Sequence, residues 1–205
     1  LLRYGAITIE NFKIINGTEL NSVQIHDITS LHLETGYYEY FSLKNKLNME
    51  PLLFQSLQTI RPFLKYTYGL INSNNKIVGF FIAGTKSQIE EVEQNTPNYY
   101  RDDSNTRIFF ERLKLLYDYS ILDTDFVLYS VAIDYLWRGK GLFKKLYNRV
   151  IELAKANFCK RIVFVVWASK PALAIYIHLG AKIMSKMDFT NILINDILIK
   201  CYFKL

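Results

Sequence analysis

Cysteine is scarce. The chain has only Cys159 and Cys201 in 205 residues, too few for a small scaffold stapled by disulfides. One ends an amphipathic stretch and the other sits inside an apolar one, so both read as reduced thiols of a cytoplasmic protein. Long apolar runs are also missing: the longest, 162–168, falls far short of the ~20 residues that cross a bilayer. No membrane partner is therefore expected. No tract of one charge stands out, because 25 basic and 19 acidic residues spread a net +6 along the chain. That balance admits an anionic ligand without forming a basic strip for nucleic acid. Nine Gly and four Pro exclude collagen-like and low-complexity classes. The start, Leu1-Leu2-Arg3-Tyr4, has no Met and no basic-then-apolar signal pattern, so an incomplete chain is the expectation.

What is present is an ordinary globular composition, 50% apolar and 15% aromatic, on a chain long enough to bury a core. Short alternating stretches over 7–14 and 23–33 suggest strands, in a region (1–48) that is either an extension or the start of the fold. Leu53, Leu57 and Ile60 recur at helical spacing over 49–61. Two β-rich runs, 64–71 and 76–83, flank the turn cluster Asn72-Ser73-Asn74-Asn75 and predict a hairpin. Residues 85–105 show little periodicity and read as an exposed loop, with a helix over 106–120; together they make a loop-helix insertion at about 85–124. Then follow a buried-type strand (126–133), an amphipathic helix (142–156), an apolar strand (162–167), a short helix (171–179) and a closing pair of strands (182–189 and 197–203).

The informative segment is Arg138-Gly139-Lys140-Gly141-Leu142-Phe143, which lies between the first of those strands and the amphipathic helix. Glycines let a backbone approach a ligand closely, and a first helical turn offers unpaired N–H groups to phosphate. A Walker loop is absent, because no Gly-x-x-x-x-Gly-Lys-Ser/Thr occurs. A dinucleotide turn is equally unsupported: Lys144 fills its third glycine position, and Trp167-Ala168-Ser169 ends the next strand without an acid. His26, His32 and His178 have no ligand-spaced partners, so no metal is expected.

Here the sequence resembles the GNAT acetyltransferase superfamily, whose coenzyme A loop reads Gln/Arg-x-x-Gly-x-Gly/Ala. Arg138 and Gly141 match, and Phe143 departs. The family's following motif, Asn-x-x-Ala-x-x-x-Tyr-x-x-x-Gly, aligns with Ser169, Ala172, Tyr176 and Gly180, with Ser169 replacing the Asn. The resemblance is clear over 126–181. It implies an α/β (α+β) fold: a mixed, mostly antiparallel sheet of about six to seven strands, splayed between strands four and five and flanked by helices. The acetyltransferase domain would cover 49–205.

The same resemblance implies acetyl-CoA as acyl donor. Its pantetheine arm would lie along the backbone of Val131, Ala132 and Ile133, and its pyrophosphate on Arg138, Gly139, Lys140, Gly141, Leu142 and Phe143. Ser169, Ala172 and Tyr176 would complete the cofactor site, with Lys140, Lys144 or Lys145 reaching the adenosine phosphate. Tyr176 would be the general acid that protonates the leaving thiolate. The acceptor would be an amine on a small molecule or peptide. Such an amine, with a pKa of ~10.4 when lysine-like, must be deprotonated before attack. Asp125, with Asp123 beside it, is the candidate base, and a water-mediated route through Tyr129 or Ser130 is the alternative. Ser169 has a second role open to it, as N-cap of the helix that contains Pro171. Acids in the insertion and at Asp118, Asp123 and Asp125 would complement a cationic acceptor. The expected protein is a cytoplasmic acyltransferase, monomeric or homodimeric. The alternative is a silent module of the same fold that binds coenzyme A or a protein partner.

Overall fold

The computed structural model describes residues 11–32, 34–35, 60–95, 111, 115, 121–190 and 196–205. In chain order the elements are β1 (Lys13–Asn16), α1 (Ser22–His32), β2 (Thr67–Ile71), β3 (Ile77–Thr85), α2 (Lys86–Asn95), β4 (Asp125–Ile133), α3 (Leu142–Ala156), β5 (Arg161–Trp167), α4 (Pro171–His178), β6 (Lys182–Asp188) and β7 (Ile197–Lys204). The strands form one sheet in the order β1-β2-β3-β4-β5-β7-β6. Every neighbouring pair is antiparallel except β4 and β5, which run parallel. The expected fold class is therefore the observed one. Among the described residues no helix is long and apolar enough to cross a membrane.

Each face of the sheet carries its own apolar layer. Leu142, Leu146, Val150 and Ala154 recur every four residues and seat α3 on Phe81, Phe126 and Phe164. Leu146 is fully buried and contributes about 2 kcal/mol through removal of its side chain from water. The opposite face is covered by Ile28 of α1, Ile89 of α2 and Phe63 of a 3-10 segment, Arg61–Tyr66. The predicted hairpin is present: Asn72 Oδ1 accepts from the amides of Asn74 and Lys76, and Asn75 takes a left-handed φ of 58°.

Two expectations are corrected. Of residues 23–33, expected as a strand, 23–32 belong to helix α1 and the last lies outside the described residues; Asn21 and Gln24 cap the helix reciprocally, each backbone N–H donating to the other's side chain. Residues 86–95, expected as loop, form α2, and Thr85 and Gln88 repeat the same exchange. Lys86 then bridges Glu90 one turn on and Asp123 ahead of β4. The expected helix over 49–61 lies outside the described residues except at its last two positions. That over 106–120 also lies outside them apart from Glu111 and Leu115, which are both helical.

Candidate active site

The parallel pair β4–β5 is short. Its register joins Asp125, Phe126 and Val127 to Arg161, Ile162 and Val163, and stops there, although β4 continues to Ile133 and β5 to Trp167. From Leu128 and Phe164 onward the strands diverge and leave a crevice in mid-sheet. Its walls keep part of their surface open despite their central position: Tyr129, Ser130, Val131 and Ile133 on β4, Val165 and Trp167 on β5, while Ala132 is buried. A bulge shapes the β4 wall. Ile82 pairs with Ser130 and Ala83 with Leu128, so Tyr129 is the extra residue. On the β3 side Val131, Ala132 and Ile133 pair with Phe81, Phe80 and Gly79. Toward β5 the backbone edge of these three residues faces the crevice.

The loop expected to bind phosphate lies at the mouth of this crevice. Asp134 accepts from the Leu136 amide to start a 3-10 turn, Tyr135–Trp137, and Arg138 Nε donates to the Ile133 carbonyl. Gly139 and Gly141 both take left-handed φ angles, 77° and 75°, which side-chain-bearing residues rarely adopt. A Cβ at either position would meet nothing within 4 Å, so the space above them is open. The amides of residues 139–143 donate to no carbonyl among the described residues. A run of five such donors, set at the N-terminus of a 15-residue helix, fits a pyrophosphate.

The basic side chains around the loop differ. Lys140 Nζ sits over the Trp137 ring, 4.2 Å from its centroid, and Lys145 donates to the Phe12 carbonyl. Lys144 makes no such contact among the described residues. Phe143, the departure from the family's pattern, turns away from the loop: its ring lies 5.5 Å from Tyr176 and stacks at 6.0 Å on Tyr147.

Tyr176 stands at the inner end of the crevice. It is 8% exposed, edge-on to Phe164 at 4.7 Å, and Phe164 is the first β5 residue past the last paired position. Burial, with a smaller contribution from Cys201, pushes its phenol up to about 12. It therefore stays protonated across the physiological range. Ala172 is half-buried on the same helix.

Two candidates have partners that the sequence did not suggest. Asp125 is fully buried at the paired end of β4, where Arg161 grips both its oxygens at 2.7 and 2.6 Å and the Leu122 amide donates to one of them. It is six residues, or ~20 Å, from Val131, and the structure does not bring it to the crevice. Asp123, its neighbour in the sequence reading, is exposed and pairs with Lys86. Ser169 does not cap α4, whose N-cap is Lys170; its hydroxyl and amide both donate to Asp196. The bulge-side pairing of Ser130 with His32, 3.0 Å apart, was not foreseen, because a separation of 98 residues leaves no local trace.

The profile of the acetyltransferase (GNAT) family matches residues 28–181. No curated protein matches the chain. Among solved structures it is similar to a Drosophila melanogaster polyamine N-acetyltransferase that forms N-acetylagmatine (TM-score 0.66, 13% identity, 95% of this chain and 100% of that one). It is also similar to arylalkylamine N-acetyltransferase 2 from Aedes aegypti (0.64, 16%, 95% and 99%), and to a chain of the NatC complex bound to Gag peptide and CoA (0.58, 16%, 96% and 98%). At these identities the likenesses speak for the fold alone. The profile, by contrast, spans 28–181, from within α1 to the end of the α4 turn, taking in the crevice, the five-amide loop and Tyr176, and on that ground the chain belongs to the acetyltransferase (GNAT) family.

Proposed function

We propose that the chain transfers an acetyl group from acetyl-CoA to a primary amine by direct attack, with both substrates bound together. The observation that carries this reading is the continuity of the site: among the described residues, five amides without a carbonyl partner at the mouth, a strand edge unpaired toward β5 along one wall, and a phenol without a hydrogen bond at the inner end. Bound acetyl-CoA supplies an activated thioester. The chain's residues do the rest.

The amides of 139–143, assisted by Lys144, hold the pyrophosphate. Arg138 fixes the loop to Ile133. The backbone edge of Val131, Ala132 and Ile133 pairs with the amides of the arm as an added strand would. Gly139 and Gly141 keep the floor clear of side chains, and Ala172 leaves room beside Tyr176. Ser169, held by Asp196, fixes the turn between β5 and α4. Tyr176, a neutral phenol near pH 7, gives its proton to the departing sulfur. Asp125 is left out of this chemistry, since its oxygens are already engaged by Arg161 and Leu122.

The acceptor is an amine on a small molecule or a peptide, the range spanned by the polyamine, arylalkylamine and peptide enzymes of this fold. Phe143 favours an active enzyme over a silent module, because its ring packs against Tyr147 and Tyr176 rather than over the loop.

Calorimetric titration with acetyl-CoA tests the reading, beside Gly141→Glu, which sets a carboxylate where the pyrophosphate lies. Saturable micromolar binding that the variant loses is the expected result. Release of free thiol is then followed with agmatine, tryptamine and a short peptide bearing a free N-terminus. A folded wild type that binds no acetyl-CoA overturns the proposal.

A further inference from the structure

The crevice has two faces, and proton-handling groups stand on both. Tyr176 belongs to the α3–α4 side of the sheet, packed with Phe164 and Phe203. The bulge turns Tyr129 and Ser130 the other way: Tyr129 stacks on Phe63 at 4.8 Å, and Ser130 Oγ meets His32 Nδ1 at the end of α1. Ser130 lies three residues beyond Val127, the last paired residue of β4, so it sits ~10 Å from the closed end. An arm that enters over the 138–143 loop and follows Ile133 and Val131 ends at this level.

His32 is enclosed by protein, edge-on to Phe80 at 6.0 Å, yet it keeps part of its surface accessible, as do Tyr129 and Ser130. Burial lowers its imidazole to about 4, so it is neutral near pH 7. Among the described residues, the titratable side chains packed into this layer include Tyr66 of the 3-10 segment, Tyr129 of β4 and Tyr202 of β7. Lys200 of β7 is also buried there, because it alternates with Ile199 and Cys201 of the opposite layer. β3 contributes Phe80. Burial, rather than any of these charges, lowers His32. The C-terminal end of α1 favours a transient positive charge on it.

We propose that Ser130 receives the acceptor amine at the inner end of the crevice, that His32 acts through it as a positioning residue, and that the acceptor reaches the thioester from the α1 face. This rests on the acetyl-transfer reading above. In the step, the nitrogen of a neutral amine bonds to the acetyl carbonyl carbon and the carbon–sulfur bond breaks. One amine proton passes to Ser130 Oγ while Ser130 passes its own proton to His32 Nδ1, and the sulfur takes its proton from Tyr176. The imidazolium then releases a proton to water and the phenolate recovers one, restoring both groups. With His32 Nδ1 accepting, the Ser130 hydroxyl hydrogen is held away from the amine and its lone pairs face the crevice.

The test uses Ser130→Ala, His32→Asn and the double variant, with His32→Gln as a second replacement should Asn fail to fold. Three readouts apply: acetyl-CoA affinity by calorimetry, acetyl transfer to agmatine, tryptamine and the peptide, and imidazole nitrogen NMR of His32 without cofactor. Each single variant is expected to lower kcat about 100-fold, with acetyl-CoA affinity unchanged and the double variant no slower than the singles. Ser130→Ala also raises KM for the amine, whereas His32→Asn, which keeps an acceptor near the Nδ1 position, leaves KM close to wild type. The NMR spectrum of the wild type shows Nδ1 without its proton, and Ser130→Ala mixes the two tautomers. Variants that keep full turnover, losses that multiply in the double variant, or a wild-type Nδ1 that carries the proton would each overturn the pairing while leaving acetyl transfer intact. A wild type that binds acetyl-CoA yet acetylates none of the three amines overturns the transfer reading itself, and the Ser130 role with it.

Discussion

The two ends of the β4–β5 gap are built on opposite principles. At the closed end the strands are hydrogen-bonded, and a buried carboxylate and a guanidinium face each other in register. At the open end the two strands have no ladder between them, side chains such as Val131, Ile133 and Val165 stay half-exposed, and burial raises the Tyr176 phenol and lowers the His32 imidazole, so that both are neutral near pH 7. Charge is neutralised by pairing at one end and by withheld ionisation at the other. A buried ion pair and an open backbone edge thus share the nine residues of a single strand.

The comparison breaks most visibly at the closed end. Asp125→Ala leaves Arg161 facing a buried, carboxylate-free site, and a loss of about 3–5 kcal/mol in chemical denaturation is expected. The molecules that remain folded should keep their affinity for acetyl-CoA. A similar stability loss from Asp125→Asn would strengthen the point, whereas a fully stable variant with impaired turnover would return this residue to the chemistry.

Next in size is the pH dependence of the open end. His32 has its folded pKa depressed from 6.5 to about 4, so its contribution is fully present above pH 6.5 and is lost as pH falls toward 4. The cost is about 3 kcal/mol. Tyr176 has the opposite sign: raised from 10 to about 12, its contribution is present below pH 10 and is lost as pH climbs toward 12. Denaturation midpoints of the wild type, His32→Asn and Tyr176→Phe across these two windows check both signs, because each variant should flatten the slope in its own window.

The smallest effect concerns a single proton. Tyr176→Phe keeps the ring contacts with Phe164 and Phe143 but removes the hydroxyl, and kcat should fall about 100-fold with acetyl-CoA affinity unchanged. Unchanged turnover would reduce Tyr176 to a packing residue and leave the open end with one proton-handling face.

Much of the architecture was legible because β2 to β7, α3 and α4 follow strong periodicities bounded by turn residues. Leu142, Leu146, Val150 and Ala154 announce α3 within the sequence, and Asn72 to Asn75 announce the hairpin. The two helices that were missed share one cause. In α1, Val23 and Ile25 alternate with polar residues as a strand would, and in α2 only Ile89 and Val92 are buried. Their common sign lies one step outside the periodicity: Asn21-x-x-Gln24 and Thr85-x-x-Gln88 are both reciprocal capping pairs. Local pattern at helix starts was the better guide in both places.

The site divides in the same manner. The left-handed glycines of the loop and the buried place of Tyr176 fall within short motifs, since backbone conformation and a single side chain define them. Asp125 was read as a candidate base, and its partner, Arg161, comes 36 residues later, out of reach of any local pattern. His32 and Ser130 meet only through a bulge and the packing of α1 across the sheet. Such pairings are set by tertiary register, which no window of sequence contains.

Trp137 and Trp167 are the two tryptophans of the chain. The first stands between the end of β4 and the loop, beneath the Lys140 ammonium and edge-on to Phe12 at 5.5 Å; the second closes β5 against Phe189. One indole therefore marks each bank of the crevice at its mouth. The protein carries its own optical gauge: a ligand that draws Lys140 from Trp137 alters the emission of the first bank, and one that reaches along β5 alters the second. Loading can thus be followed by intrinsic fluorescence, bank by bank, with a single-tryptophan variant for each and no label at all.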